Sequence, residues 1–149
     1  MNVFLVGFMG SGKTTIGKKL AHLLGKAFID MDEYIENKQG KTIAEIFSAV
    51  GEETFRALEK EKLCELVKLN NTVISTGGGA PCFHNNMQLM NAHAETIYIQ
   101  VPNEVINGKV KKFGQQAPRC SPTNLMMNCC NTLKTPWHKG KYIIYRQNI

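Results

Sequence analysis

The chain has 149 residues, of which 43% are hydrophobic and 20% charged, the balance of an ordinary globular protein and a length that suits a single domain over 1–149. No apolar run approaches the roughly 20 residues a bilayer span requires, so a membrane role is not expected. The net charge of +6 admits a nucleic-acid partner, but neither an aromatic-rich ribonucleoprotein motif nor a zinc finger accompanies the lysines, and a polyanionic small substrate is the better match.

The first predicted strand, Val3-Phe4-Leu5-Val6, starts almost at the N-terminus, which leaves no room for a signal peptide and makes a cytoplasmic location the expectation. It runs into Gly7-Phe8-Met9-Gly10-Ser11-Gly12-Lys13-Thr14, and a helix over 15–24 follows. Strand, glycine-rich loop and helix in that order are what a phosphate-cradling P-loop needs. The glycines free backbone N–H groups to close around phosphate oxygens, and the helix N-terminus favours negative charge. Lys13 is placed to reach the β- and γ-phosphates and the Thr14 hydroxyl to ligate Mg²⁺, with Gly10, Ser11, Gly12 and Thr15 completing the nucleotide contacts.

Gly25 is a left-handed cap for this helix, and a second strand is predicted over 27–31. Asp30 and Asp32, two residues apart at its end, share a face for as long as the strand persists. Beside a P-loop such a pair has a use: one carboxylate assists Mg²⁺ and the other accepts the proton of an attacking hydroxyl. Thr42 and Glu45 form a capping box that opens a short helix ending near Gly51, and an amphipathic helix follows over 52–68. On it Arg56 and Glu59 are one turn apart, which reads either as a surface ion pair or as an arginine held by a carboxylate for clamping a substrate carboxylate.

A compact strand over 72–76 leads into Gly77-Gly78-Gly79, residues costly to order unless backbone must approach a ligand closely. Strands over 96–101 and 142–145 complete the set. Strands alternating with helices predict an α/β fold with a five-stranded parallel sheet between two helical layers, with ligands beyond the carboxyl ends of the strands. Between 114 and 134 periodicity weakens, which fits a lid near 113–124 or a plain surface loop. Five cysteines at Cys64, Cys82, Cys120, Cys129 and Cys130 form no CxxC pair, so reduced thiols are expected.

In order and spacing, four segments closely resemble the shikimate kinase family: Gly7 to Thr14, Phe28-Ile29-Asp30-Met31-Asp32, the run from Gly51 to Glu59 around Phe55-Arg56, and Ile74-Ser75-Thr76-Gly77-Gly78-Gly79-Ala80. The resemblance implies a P-loop NTPase fold of the nucleoside-monophosphate-kinase type, acting on two small substrates, shikimate and ATP, with Mg²⁺, and phosphorylating the 3-hydroxyl of shikimate; a monomer is the expectation. It also implies roles. Lys13 and Thr14 serve phosphates and metal, Ser75 belongs to a weaker second metal motif, and Asp30 assists the Mg²⁺ shell. Asp32 orients and deprotonates the hydroxyl, while Arg56 and the 77–79 backbone bind the rest of shikimate.

Departures follow Val101. Where the family's lid carries an arginine before a proline, this chain has Ala117-Pro118, with Arg119 nearby as a substitute. Lys134 stands where an arginine binds the shikimate carboxylate, keeping the charge without the planar fork. The family's adenine-contacting loop and closing helix are not expected in a chain ending at Ile149. Two other functions fit the same residues: a kinase for another small hydroxylated metabolite, and a binding protein that keeps the cradle without turnover.

Overall fold

The computed structural model describes residues 1–100 and the strand at 142–146. Its elements are β1 (Asn2–Val6), α1 (Lys13–Leu24), β2 (Ala27–Asp30), α2 (Met31–Gln39), α3 (Ile43–Leu66), β3 (Thr72–Ser75), a 3₁₀ turn (Ala80–Cys82), α4 (Asn86–His93), β4 (Ala94–Gln100) and β5 (Tyr142–Arg146). The strands form one parallel sheet in the order β2-β3-β1-β4-β5. Parallel neighbours need crossovers, and helices supply those from β1 to β2, from β2 to β3 and from β3 to β4.

β1 lies at the centre and is buried along its whole length. Its side chains alternate between two apolar clusters, as a pleated strand requires. Val3 and Leu5 pack with Ala21 of α1, Val73 and Ile99, whereas Phe4 and Val6 pack with Met31 and Ile35 of α2, Phe55 and Leu63 of α3, and Met90 of α4. The sheet is therefore covered on both faces, with α1 on one side and α2, α3 and α4 on the other. Gly17 lets α1 come this close, because a Cβ there would run into the Phe28 ring and lie 3.0 Å from Leu5 Cδ1.

Local signals set the boundaries. Gly25 caps α1 in the left-handed conformation, and Thr42 and Glu45 form the reciprocal capping box of α3. Gly51 has φ 77° and ψ 172°, a break inside α3 that divides it where the sequence predicts two helices. Between β2 and α2 the structure departs from expectation. β2 ends at Asp30, and Met31 already belongs to α2, because the Asp30 carboxylate accepts the Asp32 backbone N–H at 3.1 Å and caps that helix. Asp30 and Asp32 are thus a cap and a first-turn residue, not two positions on one face of a strand. α4 is an element the sequence reading lacks.

Cys64 is a free thiol. Cys82 is disulfide-bonded, against the expectation of reduced thiols at that position. Among the described residues no helix is long and apolar enough to cross a membrane.

Candidate active site

Register brings the site residues together at the carboxyl edge of the sheet. Asp30 pairs with Ser75 on β3, and Ser75 pairs with Leu5 on β1, so the ends of three adjacent strands are level. Beyond β1 the chain turns through Gly7, Gly10 and Gly12, with φ of 152°, 78° and 85°, a region L side chains rarely enter. Gly12 is the N-cap of α1 and offers no side chain there. The loop is closed by the Ser11 N–H donating to Phe8 O at 3.1 Å. Ser11 Oγ is buried with no hydrogen-bond partner among the described residues.

Lys13, the first residue of α1, is buried, and its ammonium donates to Gly7 O at 2.9 Å and Phe8 O at 2.8 Å. Burial lowers its pKa from 10.5 to about 8, against the opposing charges of Asp32 and Asp30. At neutral pH it stays mostly protonated, and a cation stripped of water inside a loop of N–H donors is an anion receptor. Thr15, two residues on, is exposed.

The Thr14 hydroxyl donates to Asp30 Oδ2 at 2.7 Å. A hydroxyl and a carboxylate this close are hard oxygen donors of the kind Mg²⁺ takes in small number, with water and phosphate supplying its remaining ligands. No cluster of three or more His, Cys, Asp or Glu suited to a metal occurs among the described residues, so a cage made wholly of protein is not what they offer.

Asp32 is pushed up from 3.8 to about 6, first by burial and then by the neighbouring Asp30 charge, with Lys13 acting the other way. That range suits a group that takes up a proton near neutral pH. Gly77 lies between this carboxylate and α3: a Cβ there would be 2.9 Å from Asp32 Oδ1 and 3.1 Å from Glu59 Oε1. Glu59 is 2% exposed and pairs with Arg56 Nη1, while Glu52 approaches Nη2 at 3.5 Å. Burial raises Glu59 to about 6, opposed chiefly by the Arg56 charge. Arg56 itself is only 7% exposed, so the pair is no surface ion pair.

The other two glycines meet the remaining parts. A Cβ on Gly78 would lie 2.9 Å from Met9 N in the glycine loop, and one on Gly79 would lie 3.0 Å from Arg56 Nη2. The three glycines are therefore sites of close backbone approach linking the loop after β1 to α3. A continuous path results: Lys13 and Thr14, then Asp30, Asp32, Gly77, Glu59 and Arg56. Lys134, Ala117, Arg119 and the lid near 113–124 lie outside the described residues. Sequence reasoning missed the burial of Glu59 and the contact of Phe83 with Arg56, and no motif signals either.

A parallel sheet whose central strand feeds a glycine-turned loop and a helix N-terminus, beside a strand-end carboxylate, defines a P-loop phosphate-binding protein. The family model for shikimate kinase matches residues 9–135, and the chain belongs to the shikimate kinase family. It is 53% identical over 102 residues to a shikimate kinase from Parabacteroides distasonis, an alignment covering 68% of this chain and 59% of that one. A crystal structure of shikimate kinase from Bacteroides thetaiotaomicron matches at a TM-score of 0.78 with 38% identity, covering 98% of this chain and 86% of that one. Shikimate kinase from Acinetobacter baumannii in complex with shikimate matches at 0.81 with 34% identity, covering 99% and 84%. The chain spans about three fifths to two thirds of the length of the curated relatives it matches.

Proposed function

We propose that the protein transfers the γ-phosphoryl group of ATP to the 3-hydroxyl of shikimate. The observation that carries this reading is the unbroken path from the P-loop through Asp32 to the Arg56–Glu59 pair, which sets a phosphate receptor, a proton acceptor and a carboxylate receptor side by side. Membership of the shikimate kinase family and the likeness to the shikimate-bound Acinetobacter baumannii enzyme support the choice of substrate.

In this mechanism the N–H groups of 10–14 and the Lys13 ammonium hold the β- and γ-phosphates, spreading positive charge over oxygens that gain negative charge in the transition state. Thr14 and Asp30 would hold Mg²⁺, through water in the case of Asp30, with Ser75 level with them on β3. When bound, the ion neutralises phosphate charge and aligns the leaving group. Arg56, fixed by Glu59, clamps the shikimate carboxylate and turns the ring so that its 3-hydroxyl faces Asp32. Asp32 accepts the hydroxyl proton as that oxygen bonds to the γ-phosphorus; the bond to the bridging oxygen breaks and ADP leaves. The 77–79 backbone lies against the substrate, and Lys134 adds a second cation for its carboxylate.

A coupled ADP-release assay tests the proposal: release should require the protein, shikimate and Mg²⁺ together, and each omission should return it to background. A second reading, a protein that binds both ligands without turnover, rests on Ala117 in place of the lid arginine. It predicts saturable shikimate and ATP binding with no ADP above background.

A further inference from the structure

Two features around Arg56 come from residues 80–86, a segment outside the glycine loop, the carboxylates and the triple glycine. The first is the Phe83 ring, whose centroid lies 4.3 Å from Arg56 Cζ. Phe55 also approaches, at 5.4 Å, but it is the preceding residue on the same helix and is committed to the core. The second is the way Phe83 is held. Asn86 is fully buried; its Nδ2 donates to Ala80 O at 2.9 Å and its backbone N–H to Phe83 O at 2.9 Å, so one residue ties down both ends of the stretch containing the ring. The chain reaches Asn86 through His84 and Asn85, consecutive non-glycine residues in the left-handed region at φ 50° and 57°. That conformation is costly for such residues and persists only where surrounding contacts enforce it.

A guanidinium can rotate about its last side-chain bonds, and Arg56 is held at its tips by Glu59 on Nη1 and, more loosely, by the more exposed Glu52 at 3.5 Å from Nη2. An aromatic face under Cζ adds a constraint that the ion pairs at the tips do not supply, since the ring quadrupole favours a cation over its face. Here Glu59 fixes Nη1, Glu52 lies 3.5 Å from Nη2, the bare Gly79 backbone lets the group pass close by, and Arg56 Nε remains a buried donor with no partner among the described residues. A fixed plane with an unsatisfied donor is preorganised for a planar acceptor, the geometry of a carboxylate.

We propose that Phe83, locked by Asn86, is a positioning residue that sets the plane of the Arg56 guanidinium for a substrate carboxylate. The inference rests on the reading of Arg56 as the receptor for the shikimate carboxylate. Phe83→Leu should weaken shikimate binding by ~3–10-fold and raise its KM alike. ATP affinity, and kcat at saturating shikimate, should stay within about twofold, because the stack serves ground and transition states equally. Phe83→Tyr, which keeps the ring, should restore wild-type values.

The arginine side-chain ¹⁵Nε–¹Hε spectrum of the unliganded protein, with Arg56 assigned by its loss in Arg56→Lys, provides a readout independent of substrate. The Arg56 signal should be shifted by the ring current in the wild type and in Phe83→Tyr and lose that shift in Phe83→Leu. An unchanged Arg56 signal with unchanged shikimate affinity in Phe83→Leu overturns the inference, as does an equal loss of ATP and shikimate binding, which would mark mere packing. Failure of the wild type to bind shikimate refutes the functional reading instead; the Arg56 signal then decides alone, its loss of shift upholding the stack and its constancy overturning it.

Discussion

Replacing Asp32 by asparagine should make the protein more stable and less active at once. Asp32 holds its proton more tightly folded than unfolded, with its pKa raised from 3.8 to about 6 chiefly by burial. A group of this kind favours the native state fully below pH 4, where both states carry the proton, and that contribution is lost as pH rises through about 6. At 1.36 kcal/mol per pH unit, ionised Asp32 costs the fold up to about 3 kcal/mol at pH 7.5. Water reaches a group of intermediate exposure and relieves part of this, so the amide should recover about 1–2 kcal/mol, or roughly 3–6 °C in Tm. Thermal unfolding of both proteins at pH 7.5 and pH 4 reads the difference: the gain should be present at the higher pH and vanish at the lower one. Turnover should drop about 10²-fold with the proton acceptor gone, and wild-type kcat/KM should decline as pH falls through about 6. A variant no more stable than wild type at pH 7.5, or one equally stabilised at both pH values, would refute the reasoning.

Lys13→Ala should remain folded and lose most ATP affinity by calorimetry, since among the described residues the ammonium is the one cation inside the glycine loop; wild-type affinity would remove the phosphate-receptor assignment. Gly79→Ala is a steric probe with ordinary backbone geometry, φ −96°, whose new methyl would lie 3.0–3.2 Å from three guanidinium atoms of Arg56. Shikimate binding should weaken by about tenfold with ATP binding unchanged, as measured by titration of each ligand. Gly51→Ala meets open space but a φ of 77°, so chemical denaturation should show a backbone-only loss of roughly 1–3 kcal/mol.

Much of the fold was legible because several local signals agree. The apolar run before Gly7, the capping box at Thr42 and the glycines at 25 and 51 each force one chain conformation, and elements follow at those points. The path from β2 to α2 was not legible, because Asp30 satisfies two patterns: a strand terminus and a helix N-cap. Its side chain hydrogen-bonds to the Asp32 N–H, and that competition ends the strand one residue early. α4 escaped notice because its buried residues, Asn86, Met87 and Met90, include a polar one and make no clear apolar stripe. At the site, motif spacing pointed to Lys13, Thr14, Asp30, Asp32, Arg56 and the 77–79 glycines, and the structure sets them at the carboxyl edge of the sheet, with Thr14 bonded to Asp30 and Gly77 between Asp32 and Glu59. Burial could not be read from spacing. Glu59 looks like any surface partner one turn from an arginine, and only packing makes it a 2%-exposed carboxylate facing Asp32 across Gly77. Phe83 depends on a turn through two left-handed residues that no propensity rule anticipates.

Identification of the phosphorylated product tests the central claim most directly. The protein incubated with shikimate, ATP and Mg²⁺ should yield a phosphate monoester whose ³¹P nucleus couples to the ring proton at carbon 3 of shikimate, in amounts equal to the ADP released. ADP formed without any phosphorylated shikimate, or a ³¹P coupling at a different ring position, would contradict the account.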